Sequence, residues 1–369
     1  MQNIAVIILS CKDYESLEIS LANFMENTPP YIDFFILQNG KGTYNKDKSH
    51  KVALRYKNLY PKRIQVIDWI LEQDPLNAIK TLLQNKIMEK YTHICKCDDD
   101  TFPVTKDWIE KLAHSYLANK EKFGSQLAFT LPLVNNNPWG FKKTVELMNL
   151  KKEYDDNIGR IHYAGCEGDF SLSKKYFPLK IYQKDEIFEN GFGTIWRYPY
   201  IARWIHQKTT LNVDHWIESI INTPNEIFDN KLRYSINCMF FEKKYWINLQ
   251  GHDDESFIHE LAIKNNHKII ACPSVPFVHL FFFSQREENK DLIPIIRSYY
   301  QNRLQINYPI SIHIDKLYDL EERLQYLEEN FLKKNINKNS IKKIRYKFLY
   351  PMIHKLSLGL LYKNKLHKF

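Results

Sequence analysis

The sequence predicts an α/β protein built on a doubly wound, mostly parallel sheet with flanking helices. Three observations carry this: continuous apolar runs of strand length recur, helical spacing separates them, and several runs end in polar or turn-forming residues. Ile4-Ala-Val-Ile-Ile-Leu9 is the first run, and Phe34-Phe-Ile-Leu37 is the second, closed by the turn signal Gln38-Asn39-Gly40. Between them Leu17, Leu21 and Phe24 share one face of a helix expected over 14–26. A third strand is expected over 64–67, a helix over 75–90 and a fourth strand over 93–97. A helix over 105–117, N-capped by Thr105, and a strand over 127–134 follow. Residues 237–241 and 268–272 read as a strand pair flanking a helix that holds Asp253, Asp254 and Glu255. Beyond Asp291 the pattern is helical to the end, and the stretch 138–235 reads as an aromatic-rich insertion.

Composition narrows the class. A chain of 369 residues with 44% hydrophobic content can bury a core of ordinary size. Its six cysteines contain no CxxC pair, so neither a zinc ribbon nor a disulfide framework is indicated, and a reduced, cytoplasmic setting is expected. Met1–Leu9 lacks the basic region of a signal peptide, and no stretch reaches the roughly 18 apolar residues of a membrane span. The net charge of +9 is concentrated in Phe331–Phe369, which carries eleven Lys or Arg and no Asp or Glu. The body is therefore close to neutral, and nucleic acid is not an expected partner. From 341 onward basic residues mix with Ile344, Phe348, Leu349, Leu356, Leu358, Leu360 and Leu361, a pattern suited either to anionic lipid at the inner face of the plasma membrane or to a basic surface helix packed on the domain.

In open α/β sheets ligands bind beyond the carboxyl ends of the strands. Ser10, Asn39 and Asp98 stand at three such ends. The acidic triplet Asp98, Asp99 and Asp100 follows an apolar strand, where alternation turns the first and third carboxylates to one side. Oxygen donors so placed suit Mn2+ or Mg2+, which binds through one or two carboxylates together with substrate phosphates.

Leu76-Asn-Ala-Ile-Lys-Thr81 followed by Lys96-Cys-Asp-Asp-Asp-Thr-Phe102 resembles the GT-A glycosyltransferases, and within them the β-1,3-galactosyltransferase and Fringe group. The start of the chain is similar to the broader family-2 enzymes, with Ser10 and Cys11 where the nucleotide pocket begins. The resemblance implies a GT-A fold over 1–300, with 1–135 binding the nucleotide sugar and 136–300 the acceptor, and a helical basic tail over 301–369. It places Asp98 and Asp100 on the metal and the donor diphosphate, Asp99 in the donor site, and Lys80 and Lys96 near the donor. At the second strand end family-2 enzymes carry Asp; Asn39 stands there instead, and Asp68, after the third strand, is a second candidate for the nucleoside.

Gly251-His-Asp-Asp-Glu-Ser-Phe-Ile-His-Glu-Leu261 is similar to the acidic pair of GT-A enzymes, with Asp253 in place of the usual Glu. The resemblance makes Asp254 the general base for an acceptor hydroxyl, with Asp253 orienting it, and implies inversion at the anomeric carbon. Pro273-Ser-Val-Pro-Phe-Val-His279 is like the family's Pro, short strand and metal-binding His, which makes His279 the third ligand. The expected donor is a UDP-linked sugar and the expected acceptor a glycan or lipid-linked hydroxyl, as in surface polysaccharide or lipopolysaccharide synthesis. Two other readings stay open. A nucleotidyltransferase shares the sheet and acidic site but normally carries a Gly-rich basic loop, which Ser10-Cys-Lys-Asp-Tyr14 is not. A degenerate, glycan-binding transferase would fit the departures at Asn39 and Asp253.

Overall fold

The computed structural model describes residues 3–11, 13–38, 46–71, 74–158, 199–228, 237–251, 255–280 and 289–305. The chain divides into two compact units, Met1–Tyr300 and Gln301–Phe369, and nearly all described residues belong to the first. Its strands are β1 (Ile4–Ser10), β2 (Asp33–Gln38), β3 (Ile64–Ile67), β4 (His93–Asp98), β5 (Thr101–Pro103), β6 (Leu127–Val134), β7 (Glu226–Ile227), β8 (Cys238–Glu242) and β9 (Lys268–His279). They form one mixed sheet in the order β3-β2-β1-β4-β8-β6-β9-β5, with β7 paired to β9. β3, β2, β1 and β4 run parallel, as do β6 and β9, whereas β8 is antiparallel to both β4 and β6. The chain leaves β1 toward β2 and β3 and returns on the other side in β4, so strand order reverses between β1 and β4. The α/β class and the mostly parallel sheet with flanking helices are as the sequence predicts.

Helix α1 (Tyr14–Asn27) starts where the Asp13 carboxylate accepts a hydrogen bond from Ser16 N at 3.2 Å. It buries Leu17, Leu21 and Phe24 against the sheet. The Phe24 ring lies edge-on to Phe34, Trp108 and Phe277, and Trp108 to Phe277, with centroids 5.2 to 6.5 Å apart. Burying side chains of this size contributes about 1.5–3 kcal/mol each, and the cluster fastens α1 and α4 (Trp108–Phe123) to the same sheet. Trp108 also donates its indole N–H to Thr28 Oγ1 at 3.0 Å, so its polar edge is satisfied in the core.

Several boundaries differ from the expectation. Helix α2 (Lys46–Leu59) was hidden by its polarity; Val52, Ala53 and Tyr56 are buried among charged neighbours. Helix α3 (Pro75–Leu83) stops short of Lys90, because Asn85 turns its side chain onto Ile87 N at 3.1 Å and caps a separate 3-10 turn, Lys86–Met88. Helix α4 begins after Asp107, not Thr105, and is ended by Gly124 in the left-handed region at φ 56°. Strands β8 and β9 are not neighbours, since β6 lies between them, and strand adjacency is invisible to local periodicity. β9 continues past Cys272 to His279; its pairing with β6 slips between Cys272 and Pro276, which absorbs Pro273. The Gly191–Gly193 segment and the basic tail lie outside the described residues. Among the described residues no helix is long and apolar enough to cross a membrane.

Candidate active site

The carboxyl ends of β1, β4 and β9 and the start of antiparallel β8 meet at one edge of the sheet. Asp98 closes β4. Its Oδ2 accepts from Asn237 Nδ2 at 3.0 Å, and its backbone N–H donates to the Asn237 carbonyl at 3.0 Å. Asn237 Nδ2 also lies 3.2 Å from His279 Nε2, which is itself 3.2 Å from Asp100 Oδ2. Strand β5 explains the last contact: Thr101 pairs with His279, and Leu280 N–H donates to the Asp100 carbonyl at 2.8 Å. Asp98, Asn237, His279 and Asp100 thus form a continuous polar chain across three strand ends. Asp99 turns the other way and accepts from Cys11 N–H at 3.0 Å, joining the tips of β1 and β4 where strand order reverses.

His279 is held from behind by the end of β6. Asn136 Nδ2 donates to the His279 carbonyl at 2.6 Å, so Asn136 Oδ1 must face the ring and accept from Nδ1 at 2.6 Å. Nδ1 therefore carries a proton, and Nε2 faces the carboxylates. Asn135 accepts from His279 N–H at 3.0 Å and donates to Thr209 at 2.9 Å and Thr210 at 3.2 Å. Asn137 caps helix α5 (Pro138–Leu147) by accepting from Gly140 N–H at 2.5 Å. The three consecutive asparagines are all buried.

The triplet is electrostatically unequal. Burial first, and the neighbouring Asp100 carboxylate second, raise Asp99 well above the usual carboxylate range. Burial also opposes ionisation of Asp100, but the adjacent His279 imidazole outweighs it and holds Asp100 below that range. The carboxylates of Asp98 and Asp100 are oxygen donors of the kind Mn2+ or Mg2+ takes, but Asp98 reaches His279 only through Asn237, and among the described residues only Cys95, Cys97 and Cys238 stand close enough together to share one ion. The expected ligands Asp98, Asp100 and His279 thus stand along one strand edge, linked through Asn237, without closing into a single ligand group.

The other sequence-derived candidates are placed unevenly. Ser10 is buried, and its hydroxyl has no partner among the described residues; the same holds for Nε2 of Gln38, its register neighbour on β2. Cys11 is half-buried beside Asp99. Lys96 is fully buried and pairs with Asp98 Oδ1 at 2.5 Å, so its ammonium supports the triplet from below. Lys80 donates to the Leu249 carbonyl at 2.9 Å, and Asn77 on the same helix lies 3.3 Å from the Gly251 carbonyl. Asp68 is exposed after the edge strand β3, 3.9 Å from His50 and two strands from β1. Asn39, Asp253 and Asp254 lie outside the described residues.

Asn237, Asn136 and Asn135 escaped sequence reading. Asparagine directly after or before a largely apolar strand was the available signal, in Leu127–Val134 followed by Asn135 and in Asn237 ahead of Cys238. No protein-family model matches the chain, and no curated protein matches it significantly.

Proposed function

We propose that the chain is a metal-dependent, inverting glycosyltransferase of GT-A fold that moves a sugar from a nucleotide sugar, UDP-linked, to a hydroxyl of a glycan or lipid-linked acceptor. The observation that supports this reading is the polar chain of Asp98, Asn237, His279 and Asp100 at the strand tips, beside the Asp99–Cys11 contact where strand order reverses. A divalent cation drawn between Asp98, Asp100 and His279 would supply positive charge to the diphosphate leaving group. The Ser10 hydroxyl and Gln38 Nε2 at the neighbouring strand ends, unpartnered among the described residues, offer polar contacts to the nucleoside.

The protein's own groups divide the remaining work. Lys96 orients Asp98 through a buried ion pair, and Asn136 orients His279. Lys80 and Asn77 fix the chain from Leu249 to Gly251, immediately ahead of Asp253 and Asp254. Asp254 takes the proton of the acceptor hydroxyl while the acceptor oxygen bonds to the anomeric carbon and the bond to the diphosphate breaks, with Asp253 orienting base or acceptor. A single displacement of this kind inverts the anomeric configuration. The basic, apolar tail beyond 341 would hold the enzyme at an anionic membrane surface, where a lipid-linked acceptor resides.

A panel of nucleotide sugars, incubated with the full chain with and without Mn2+, tests the reading. At least one donor should release nucleoside diphosphate only when the cation is present. Turnover of no donor under either condition, or turnover indifferent to the cation, would overturn it. Asp254→Asn should keep donor binding and lose transfer.

A further inference from the structure

Three cysteines that look scattered in the sequence meet beneath the acidic tips. Cys95 and Cys97 are two residues apart on β4 and project to the same face, and Cys238, the first residue of β8, is paired with Cys97. Their sulfurs form a closed triangle, with 3.9 Å between Cys95 and Cys97, 3.6 Å between Cys95 and Cys238, and 3.7 Å between Cys97 and Cys238. All three are fully buried. Their face of the sheet lies under α4, whose Tyr116 packs on His93 and Phe240 of the same two strands.

A tetrahedral ion with metal–sulfur bonds of about 2.3 Å requires sulfurs about 3.8 Å apart, and a trigonal one needs only slightly more. We propose that Cys95, Cys97 and Cys238 form a structural thiolate site for a closed-shell thiophilic cation, Zn2+ or Cu+. Each thiol gives up its proton to solvent as its sulfur takes the cation, so no oxidant or reductant is involved. Softness separates this site from the one above it: thiolates select Zn2+ or Cu+, whereas the carboxylates of Asp98 and Asp100 favour Mg2+ or Mn2+.

Position supplies the role. Cys97 precedes Asp98, and Cys238 follows Asn237, the two residues that are joined by hydrogen bonds through both side chain and backbone. A cation on the triad staples the ends of β4 and β8 directly under those residues. The inference does not depend on which reaction the strand tips perform.

The test is elemental analysis of the full chain purified under reductant without chelator, and again after reconstitution with Zn2+ or with Cu+. About one equivalent of zinc or copper per chain is expected, the identity telling which ion the triad takes. Cys238→Ala should lose it, whereas Asp100→Asn should keep it. Because Cys238→Ala can fail to fold, Co2+ substitution of the unmodified chain provides a second reading, an intense thiolate-to-cobalt absorption band. Absence of stoichiometric metal after reconstitution together with no such band would overturn the proposal. So would full metal content in folded Cys238→Ala, or a disulfide among the three cysteines in the purified protein.

Discussion

Asn136 grips His279 at two points: its amide nitrogen donates to the His279 carbonyl, and its amide oxygen accepts from the ring Nδ1, both at 2.6 Å. The first bond decides which way the amide faces, and the second then requires a proton on ring Nδ1. If His279 is a metal ligand, Asn136→Ala should weaken Mn2+ binding by about 10- to 100-fold, the usual cost of losing such an outer partner. Asn136→Asp, which keeps the acceptor for Nδ1, should lose less. Calorimetric titration with Mn2+ measures both, and equal affinity of Asn136→Ala and the unmodified chain would show that the grip serves folding alone.

Gly140 sits where α5 turns away from the end of β6. A Cβ there would come within 1.8 Å of the Val134 carbonyl oxygen and 2.8 Å of the Asn137 side chain. The carbonyl is backbone and cannot swing aside, so Gly140→Ala should destabilise the protein by about 1–3 kcal/mol. The displaced Asn137 cap adjoins Asn136, so Mn2+ affinity should fall with stability. Thermal unfolding with and without Mn2+ checks this; an unshifted midpoint would contradict it.

His206 links acid stability to the same region. Burial first, and the nearby His279 second, lower it from 6.5 to about 3, while its Nδ1 stays 2.8 Å from Thr210 Oγ1. The unfolded chain takes up a proton below 6.5 that the folded protein refuses until about 3. The stabilisation is therefore complete above pH 6.5 and is lost as pH falls toward 3, amounting to a few kcal/mol over that window. Urea unfolding across this range should show a steeper decline for the unmodified chain than for His206→Gln. Parallel slopes would refute the assignment.

Lys80 offers a choice between two roles. Its ammonium is engaged with the Leu249 carbonyl, which places it behind the segment leading to Asp253 and Asp254. Lys80→Met should therefore slow transfer by about tenfold or more through misplacement of the base, with little change in donor affinity. A large rise in the donor dissociation constant at unchanged kcat would instead put Lys80 on the donor.

Local signals made much of this architecture legible. The strand runs, α1 and the acidic tip at Asp98 follow from apolar periods and polar ends, because those features are written within a few residues. Helix α2 was hidden because its buried side chains, Val52, Ala53 and Tyr56, are outnumbered by exposed charges. The partners of the site were illegible for a different reason. Asn237 reaches Asp98 across 139 positions and Asn136 reaches His279 across 143, distances that only the strand order closes. The cysteine triangle has the same origin: Cys238 is 141 positions from Cys97, and their meeting depends on the antiparallel insertion of β8 beside β4. Lys96 was legible as a motif residue, but its burial and its pairing with Asp98 were not.

The measurement closest to the central claim is Mn2+-dependent release of nucleoside diphosphate from the best donor, compared between the unmodified chain and Asp100→Asn. Asn keeps the size of the side chain but removes the charge that faces His279, so folding should persist. The account predicts that turnover falls by about a hundredfold or more and that added Mn2+ no longer restores it. Undiminished, Mn2+-stimulated turnover in folded Asp100→Asn would contradict it.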